Sequence, residues 1–339
     1  MAQGTDGAGG AWMAYLIGGI DAGGTTFKCG VQNARGEWVA RERVPTTSPQ
    51  STIASCARFF RDVVRDAAGE GGGEGEGGGE GEGRGLAALG VGSFGPLDLD
   101  PASATFGALL ATPKPGWSGF AIRDALADAL GCAVAVDTDV NAALLAETTS
   151  GAAREVAQKG GSCAYVTVGT GIGAGVMVNG RVVGGPRHPE FGHIPVAPAP
   201  GDGAFAGVCP FHGACLEGMA SAAALRARLG EPAQWPADHP GWDVAAHYLA
   251  QGCRVLFLTT SASRIVLGGG LMTSPHILAR VRRAFVEQMN GYAGANAALA
   301  QDLIRVPAHG DDAGLVGAVM LARKKLGRAI PGEGASACG

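Results

Sequence analysis

Two thiols and an imidazole stand three residues apart in Cys209-Pro-Phe-His-Gly-Ala-Cys215, behind the run His188-Pro-Glu-Phe-Gly-His193. Cys and His at this spacing, in a short loop with Gly and Pro, are the ligand types of a tetrahedral zinc site. Two thiolates with two or three imidazoles fill all four positions, so the metal they predict is structural and leaves the chemistry to its neighbours. On these residues alone His188 and His193 are alternatives for one place, and the rival reading makes Cys209 and Cys215 ordinary small buried residues. The neighbours are Glu190, His193 and Glu217. A metal clip that orders them predicts a pocket lined with partners for sugar hydroxyls.

Three glycine turns supply a second kind of chemistry. Asp21-Ala-Gly-Gly-Thr-Thr26 follows one expected strand and opens into another, so Gly23 and Gly24 let backbone amides, with the hydroxyls of Thr25 and Thr26, come close to a ligand. Val168-Gly-Thr-Gly-Ile-Gly173 repeats the arrangement through Gly169, Thr170 and Gly171. Two such turns can hold a triphosphate, with Asp21 placed to organise Mg²⁺ through water. Gly-rich hairpins are common in purely structural roles, so the repetition carries more weight than either turn. The chain has no Walker-type Gly-x-x-x-x-Gly-Lys-Ser/Thr, and a strand follows Gly169–Gly173 where a dinucleotide fold needs a helix. A third turn, Gly268-Gly269-Gly270, would let an adenosine lie against bare backbone.

Asp139, in Asp137-Thr-Asp-Val-Asn141, stands after an expected strand and at the start of an expected helix. There a carboxylate can take the proton of a substrate hydroxyl as its oxygen attacks a γ-phosphoryl group. The competing role for Asp137 or Asp139 is a helix N-cap.

A chain of 339 residues with 46% hydrophobic content can build two cores. Lys and Arg number 26 against 30 Asp and Glu, a net charge of -4 that gives no electrostatic footprint for nucleic acid. With neither a long apolar run nor a basic-then-apolar start, no membrane span or export signal is expected. The other cysteines are scattered without a disulfide rhythm, so the expected location is the cytoplasm.

Residues 1–13 read as a disordered leader, with Met13 a conceivable alternative start, and 329–339 as a flexible tail. The Gly and Glu residues over 69–85 read as a solvated loop insertion. Strands are expected over 15–20, 27–32 and 38–44, then a helix over 52–67, a strand over 89–93, a helix over 119–130 and a strand over 133–137. That β-α-β order predicts a mixed sheet with parallel members. The second half repeats the theme with strands over 164–169, 174–179 and 181–183. Helices over 217–229 and 244–258, a strand over 264–267, a helix over 275–292, a strand near Ile304 and a helix over 313–326 complete it.

From about Tyr15 to Leu326 the chain resembles the ROK family of sugar kinases, within the actin and hexokinase superfamily. The resemblance rests on Asp21-Ala-Gly-Gly-Thr25, Gly92-Ser-Phe-Gly-Pro96, the Asp139 segment, Glu190-Phe-Gly-His193, the loop ending in Cys215-Leu-Glu217, and Gly268–Gly270. It implies an α/β fold of two actin/hexokinase-like (ribonuclease H-like) domains with an interdomain cleft. The first would span 14–136, completed by the helix over 313–328; the second would span 137–312, with its zinc-binding loop over 188–217.

The resemblance further implies ATP, Mg²⁺ and structural Zn²⁺ as cofactors, a homodimer, and Asp139 as the catalytic base. Glu190, His193 and Glu217 would hold sugar hydroxyls, and Ser93, Phe94, Gly95 and Pro96 would close over the sugar. Lys28 would join the phosphate turns. In the family the His of Glu-x-Gly-His binds zinc through one nitrogen, which selects His193 over His188 beside Cys209, His212 and Cys215.

Two departures stand out. His212 replaces a third Cys, and Thr138 replaces an Asn ahead of the base, where it keeps one hydrogen bond to sugar but not two. His212 and Thr112-Pro-Lys-Pro-Gly-Trp117 look like the bacterial fructokinase branch, so the expected activity is fructokinase. Mannose, glucose and N-acetylhexosamines are alternative substrates. A sugar-sensing regulator would need a helix pair ahead of Asp21, and a catalytically silent binding protein would not need Asp21 and Asp139 intact.

Overall fold

The computed structural model of the protein describes residues 15–69 and 85–327. The expected leader, the expected tail and most of the expected Gly/Glu loop lie outside these residues. The described chain divides into two compact units, one up to Ala142 and again from Gly314 onward, the other Ala143–Ala313.

The first unit is built on β1 (Leu16–Ala22), β2 (Thr26–Gln32), β3 (Trp38–Pro45), helix α1 (Pro49–Gly69), β4 (Leu86–Ser93), α2 (Ile122–Leu130) and β5 (Ala133–Thr138). The sheet order is β3-β2-β1-β4-β5. The first three strands form an antiparallel meander, whereas β4 runs parallel to β1 and β5 parallel to β4. Central strands reveal themselves by continuous burial, as in β4, while edge strand β3 carries exposed Arg41, Glu42 and Arg43. Phe27, Phe60, Leu89, Trp117 and Leu126 fill its main core.

Helix α3 (Asp139–Ser150) starts in the first unit and ends in the second, where α4 (Arg154–Gln158), β6 (Cys163–Val168), β7 (Ile172–Val178) and β8 (Arg181–Val182) follow. Then come α5 (Leu216–Ala220), α6 (Ala222–Leu229), α7 (Gly241–Thr260), β9 (Arg264–Gly268), α8 (Leu278–Met289), α9 (Ala297–Leu303) and β10 (Ile304–Arg305). The sheet order is β10-β9-β6-β7-β8, with β9 parallel to β6. Helix α10 (Ala313–Lys325) packs back on the first unit, where Val319 and Ala322 meet Ile17 and Ala88.

Three differences from the sequence reading have local causes. The helix expected over 217–229 is two helices, because Ser221 adopts an extended conformation, caps α6 by accepting the Ala224 N–H at 3.2 Å, and frees the Ala222 N–H for the Gly169 carbonyl at 2.8 Å. The helix expected over 275–292 starts at Leu278 and ends at Met289. A turn in which the Ser274 hydroxyl accepts the His276 N–H precedes it, and Asn290 closes it in the left-handed region at φ 46°. Helices α4 and α9 were not anticipated. Both are too short for a periodic pattern, and only Asn296, which caps α9 through the Leu299 N–H at 3.0 Å, signalled one of them.

Candidate functional site

Parallel strands deliver their carboxyl ends to the same sheet edge, where α/β sheets bind ligands. In the first unit the register pairs Asp21 with Gly92, Ala22 with Ser93, and Ser93 with Thr138. The Asp21–Thr26 turn, the Ser93–Pro96 turn and Thr138-Asp139 therefore leave one edge together. The Phe94 N–H donates to the Ala22 carbonyl at 2.9 Å, and the Gly95-Pro96 peptide is cis.

At the start of α3 the competition over the N-cap is settled by hydrogen bonds. Thr138 Oγ1 accepts the Asn141 N–H at 3.1 Å, so Thr138 is the cap and Asp139 is the first helical residue. Asp137 Oδ1 accepts the Thr138 N–H at 2.7 Å and Asn141 Nδ2 at 2.8 Å, bracing the corner. Asp139 Oδ1 accepts the Val140 N–H at 2.8 Å, and the helix N-terminus favours an anion there. Thr138 is only 2% exposed.

Asp21 lies 3.7 Å from Lys28 Nζ. A Cβ at Gly314, in the first turn of α10, would stand 2.6 Å from the Asp21 carboxyl carbon, so only glycine lets the helix end come this close.

In the second unit the β6–β7 hairpin presents Gly169, Thr170 and Gly171, closed by the Gly169 N–H on the Gly171 carbonyl at 2.9 Å. Parallel β9 brings Gly268–Gly270 to the same edge. A Cβ at Gly269, which has φ 87°, would lie 2.6 Å from the Val168 backbone, so the two glycine turns touch. Beside Gly270 opens a cavity of about 440 Å³ lined by Glu231, Trp235, Leu271, Ser274 and His276. That is within the volume range of small-molecule pockets.

Glu217 belongs to this edge as well. Its Oε2 accepts the Ile172 N–H at 2.9 Å, and a Cβ at Gly171 would come within 2.6 Å of that oxygen. Two residues earlier Cys215 caps α5, its sulfur accepting the Gly218 N–H at 3.4 Å. The position of Cys215 thus sets the position of Glu217.

His193, Cys209, His212 and Cys215 converge, with one ligand atom from each within 4.8 Å of the others. His193 Nδ1 is 3.6 Å from both sulfurs, and His212 Nδ1 is 3.7 Å from Cys209 Sγ. Zinc–sulfur bonds of about 2.3 Å and zinc–nitrogen bonds of about 2.0–2.1 Å at a tetrahedral angle place S and N about 3.6 Å apart, so the donor set fits the metal.

Burial raises the Cys215 thiol above its usual range; the Gly218 N–H works against this, and neighbouring Cys209 adds to it. Two adjacent thiols in such a place become stable thiolates only beside a cation. His188 lies outside the group, with Nδ1 3.4 Å from Glu190 Oε1. Glu190 itself is half-exposed, just ahead of the turn of 3₁₀ helix Phe191–His193.

The profile of the ROK family matches residues 17–325. The chain is 38% identical over 315 residues to the fructokinase of Zymomonas mobilis, covering 91% of this chain and 96% of that one. It is 36% identical over 283 residues to the fructokinase of Streptococcus mutans, covering 83% and 88%. Among solved structures, the ROK hexokinase of Thermus thermophilus superposes with a TM-score of 0.66 at 27% identity, covering 92% of this chain and 99% of that one. The fold is the two-domain actin- and hexokinase-like α/β fold. With a profile match over nearly all the described residues and relatives this similar along most of their length, the chain belongs to the ROK family.

Proposed function

We propose that the chain transfers the γ-phosphoryl group of ATP to a hexose, and that the hexose is fructose, which becomes fructose 6-phosphate. The observation that carries this reading is the delivery of the Asp21 turn, the Ser93–Pro96 turn and Asp139 to one sheet edge, in a chain 36–38% identical to two bacterial fructokinases. Asp139 accepts the proton of the attacking hydroxyl as the new O–P bond forms and the bond to ADP breaks. Thr138 and Asp137 hold it in place by fixing the start of α3. Glu190, His193 and Glu217 bind the remaining hydroxyls, and the Ser93–Pro96 turn covers the sugar.

The phosphates lie on the amides of Gly23 and Gly24, on Thr25, Thr26 and Lys28, and on Gly169, Thr170 and Gly171. The adenosine runs past Gly268–Gly270 to the cavity beside Trp235. Asp21 would hold Mg²⁺ through water, and the ion would supply charge neutralisation at the phosphates. His193, Cys209, His212 and Cys215 hold one structural zinc, and His193, bound through Nδ1, keeps Nε2 for the sugar.

The seven described cysteines that are free, and the absence among the described residues of a helix long and apolar enough to span a membrane, support a cytoplasmic location. The reading includes a homodimer, taken from the family resemblance and tested by light scattering.

A coupled assay of ADP release across fructose, mannose, glucose and N-acetylhexosamines tests the activity. Fructose is expected to give the highest kcat/KM, preference for another hexose would replace the substrate, and no hexose-dependent ADP release would overturn the kinase reading. Elemental analysis of unchelated protein is expected to find one zinc per chain.

A further inference from the structure

Lys114 has no role in the mechanism above, yet the first unit goes to some length to fix it. Its loop is anchored by Trp117, which is fully buried, packs its ring 5.5 Å from Phe27 and 5.4 Å from Phe94, and donates Nε1–H to the Thr47 carbonyl at 2.9 Å. The Trp117 N–H returns to the Lys114 carbonyl at 3.2 Å, and Ser118 Oγ ties both ends of Thr112, through its N–H at 3.1 Å and its carbonyl at 3.0 Å. On one side the Leu110 N–H donates to the Pro96 carbonyl at 2.8 Å. The loop therefore runs from the Ser93–Pro96 turn toward the Asp21–Thr26 turn, all within one unit.

At its end the Lys114 ammonium donates to the Gly24 carbonyl and lies 5.6 Å from the centre of the Phe94 ring. It thus touches the turn assigned to phosphate and the turn assigned to sugar. Among the described residues it has no ion pair with a carboxylate. A partly buried ammonium held by a carbonyl and an aromatic face is short of an anion, and burial accordingly lowers its proton affinity. A phosphoryl oxygen would give it the negatively charged acceptor that the Gly24 carbonyl is not.

Resting on the kinase reading, we infer that Lys114 contacts the γ-phosphoryl group of ATP and stabilises the charge on it as it passes to the sugar. The new bond joins the sugar oxygen to phosphorus, the bond from phosphorus to the ADP oxygen breaks, and the hydroxyl proton goes to Asp139. Lys114 exchanges no proton. Its place between the two turns is where the group in flight must pass, and a fixed cation there acts most on the transition state.

The test uses the full chain as wild type, Lys114→Met and Lys114→Arg. Calorimetry with Mg²⁺ measures binding of ADP, of the β,γ-imido analogue of ATP, and of fructose, alongside steady-state rates. For Lys114→Met the analogue is expected to bind roughly 10- to 100-fold more weakly while ADP and fructose stay within about twofold, and kcat should fall roughly 10²- to 10³-fold. Lys114→Arg should restore much of the analogue affinity, which a purely structural lysine would have no reason to show.

Equal losses for ADP and the analogue, or a loss confined to fructose, would overturn the inference and leave the kinase reading standing. Wild-type protein that binds neither nucleotide would remove both. If the Met variant does not fold, Lys114→Gln decides by the same measure: a loss of analogue affinity with ADP affinity unchanged supports the contact, and an unchanged ratio of the two affinities sinks it.

Discussion

The two units share a plan and differ in what holds their functional loops. Each has an antiparallel three-strand meander, a glycine turn at its first hairpin, and parallel strands beyond it, in the orders β3-β2-β1-β4-β5 and, read from the other end, β8-β7-β6-β9-β10. In the first unit the loops are fixed by apolar packing, with Phe94 and Trp117 set in a chain of aromatic contacts that reaches Phe27 and Phe120. In the second, residues 184–213 bury little beyond Phe191, Gly192, Ala199 and Cys209. A segment with so few buried side chains cannot offset its own ordering entropy by hydrophobic burial, and the proposed four-ligand metal clip would supply what packing does not. On that proposal, chemistry placed by register and a pocket placed by metal should fail in different ways.

The largest effect is expected where geometry survives and chemistry does not. Asp139→Asn keeps size and a hydrogen-bonding oxygen but cannot take the hydroxyl proton, so kcat should drop roughly 10²- to 10⁴-fold while fructose affinity by calorimetry stays measurable. Turnover within a few-fold of wild type would move the base elsewhere. Next in size is Trp117→Ala. Removing a fully buried Trp is expected to destabilise the first unit by about 3–5 kcal/mol, read as a lower denaturation midpoint, with the zinc content of the still-folded fraction unchanged. Loss of zinc along with it would mean that the two modes of support are not separate.

Cys215→Ser probes the other mode. The metal should leave while the serine hydroxyl can still cap α5, and because the loop that the metal would order leads directly into the helix that carries Glu217, fructose affinity should fall by about 10- to 100-fold. Proteolysis should then cut within 188–217, while Trp117 keeps its buried fluorescence. An unaltered fructose affinity in the zinc-free variant would show that Glu217 is placed by its bond to the Ile172 N–H alone.

The same contrast explains what could be read from the sequence. Strand positions followed from apolar runs and glycine turns, because burial on both faces of a central strand leaves a continuous signature. Cys209, His212 and Cys215 also followed from residue types and spacing, and His193 from the family resemblance, and the structure brings all four ligand atoms together. Three features were not legible. The split at Ser221 depends on a hydrogen bond from the Ala222 N–H, at the start of α6, to the carbonyl of Gly169 in the β6–β7 hairpin, which is invisible to local propensity. The bond from Glu217 to the Ile172 N–H joins distant segments, and so does Lys114 on Gly24, although the Thr112–Trp117 motif marked the neighbourhood. Local pattern gives elements and ligand types, whereas these contacts exist only after the sheet has set its register.

The smallest effect separates positioning from contact at Thr138. Its hydroxyl accepts the Asn141 N–H, and the side chain is buried, so Thr138→Ala should cost about 1 kcal/mol of stability, the usual worth of an N-cap. Thr138→Asn replaces one good cap with another and should stay within a few tenths of that measure of wild type. If the threonine acts only by holding the start of α3, fructose affinity should change by less than about twofold in the Asn variant, and the Ala variant should lose turnover only as far as Asp139 becomes less well ordered. The family resemblance instead assigns this position a hydrogen bond to the sugar. In that case Thr138→Ala would weaken fructose binding while Thr138→Asn would strengthen it, because the amide adds a second hydrogen-bonding group. The pair of variants therefore decides by the sign of the change in fructose affinity, which a pure cap leaves near zero.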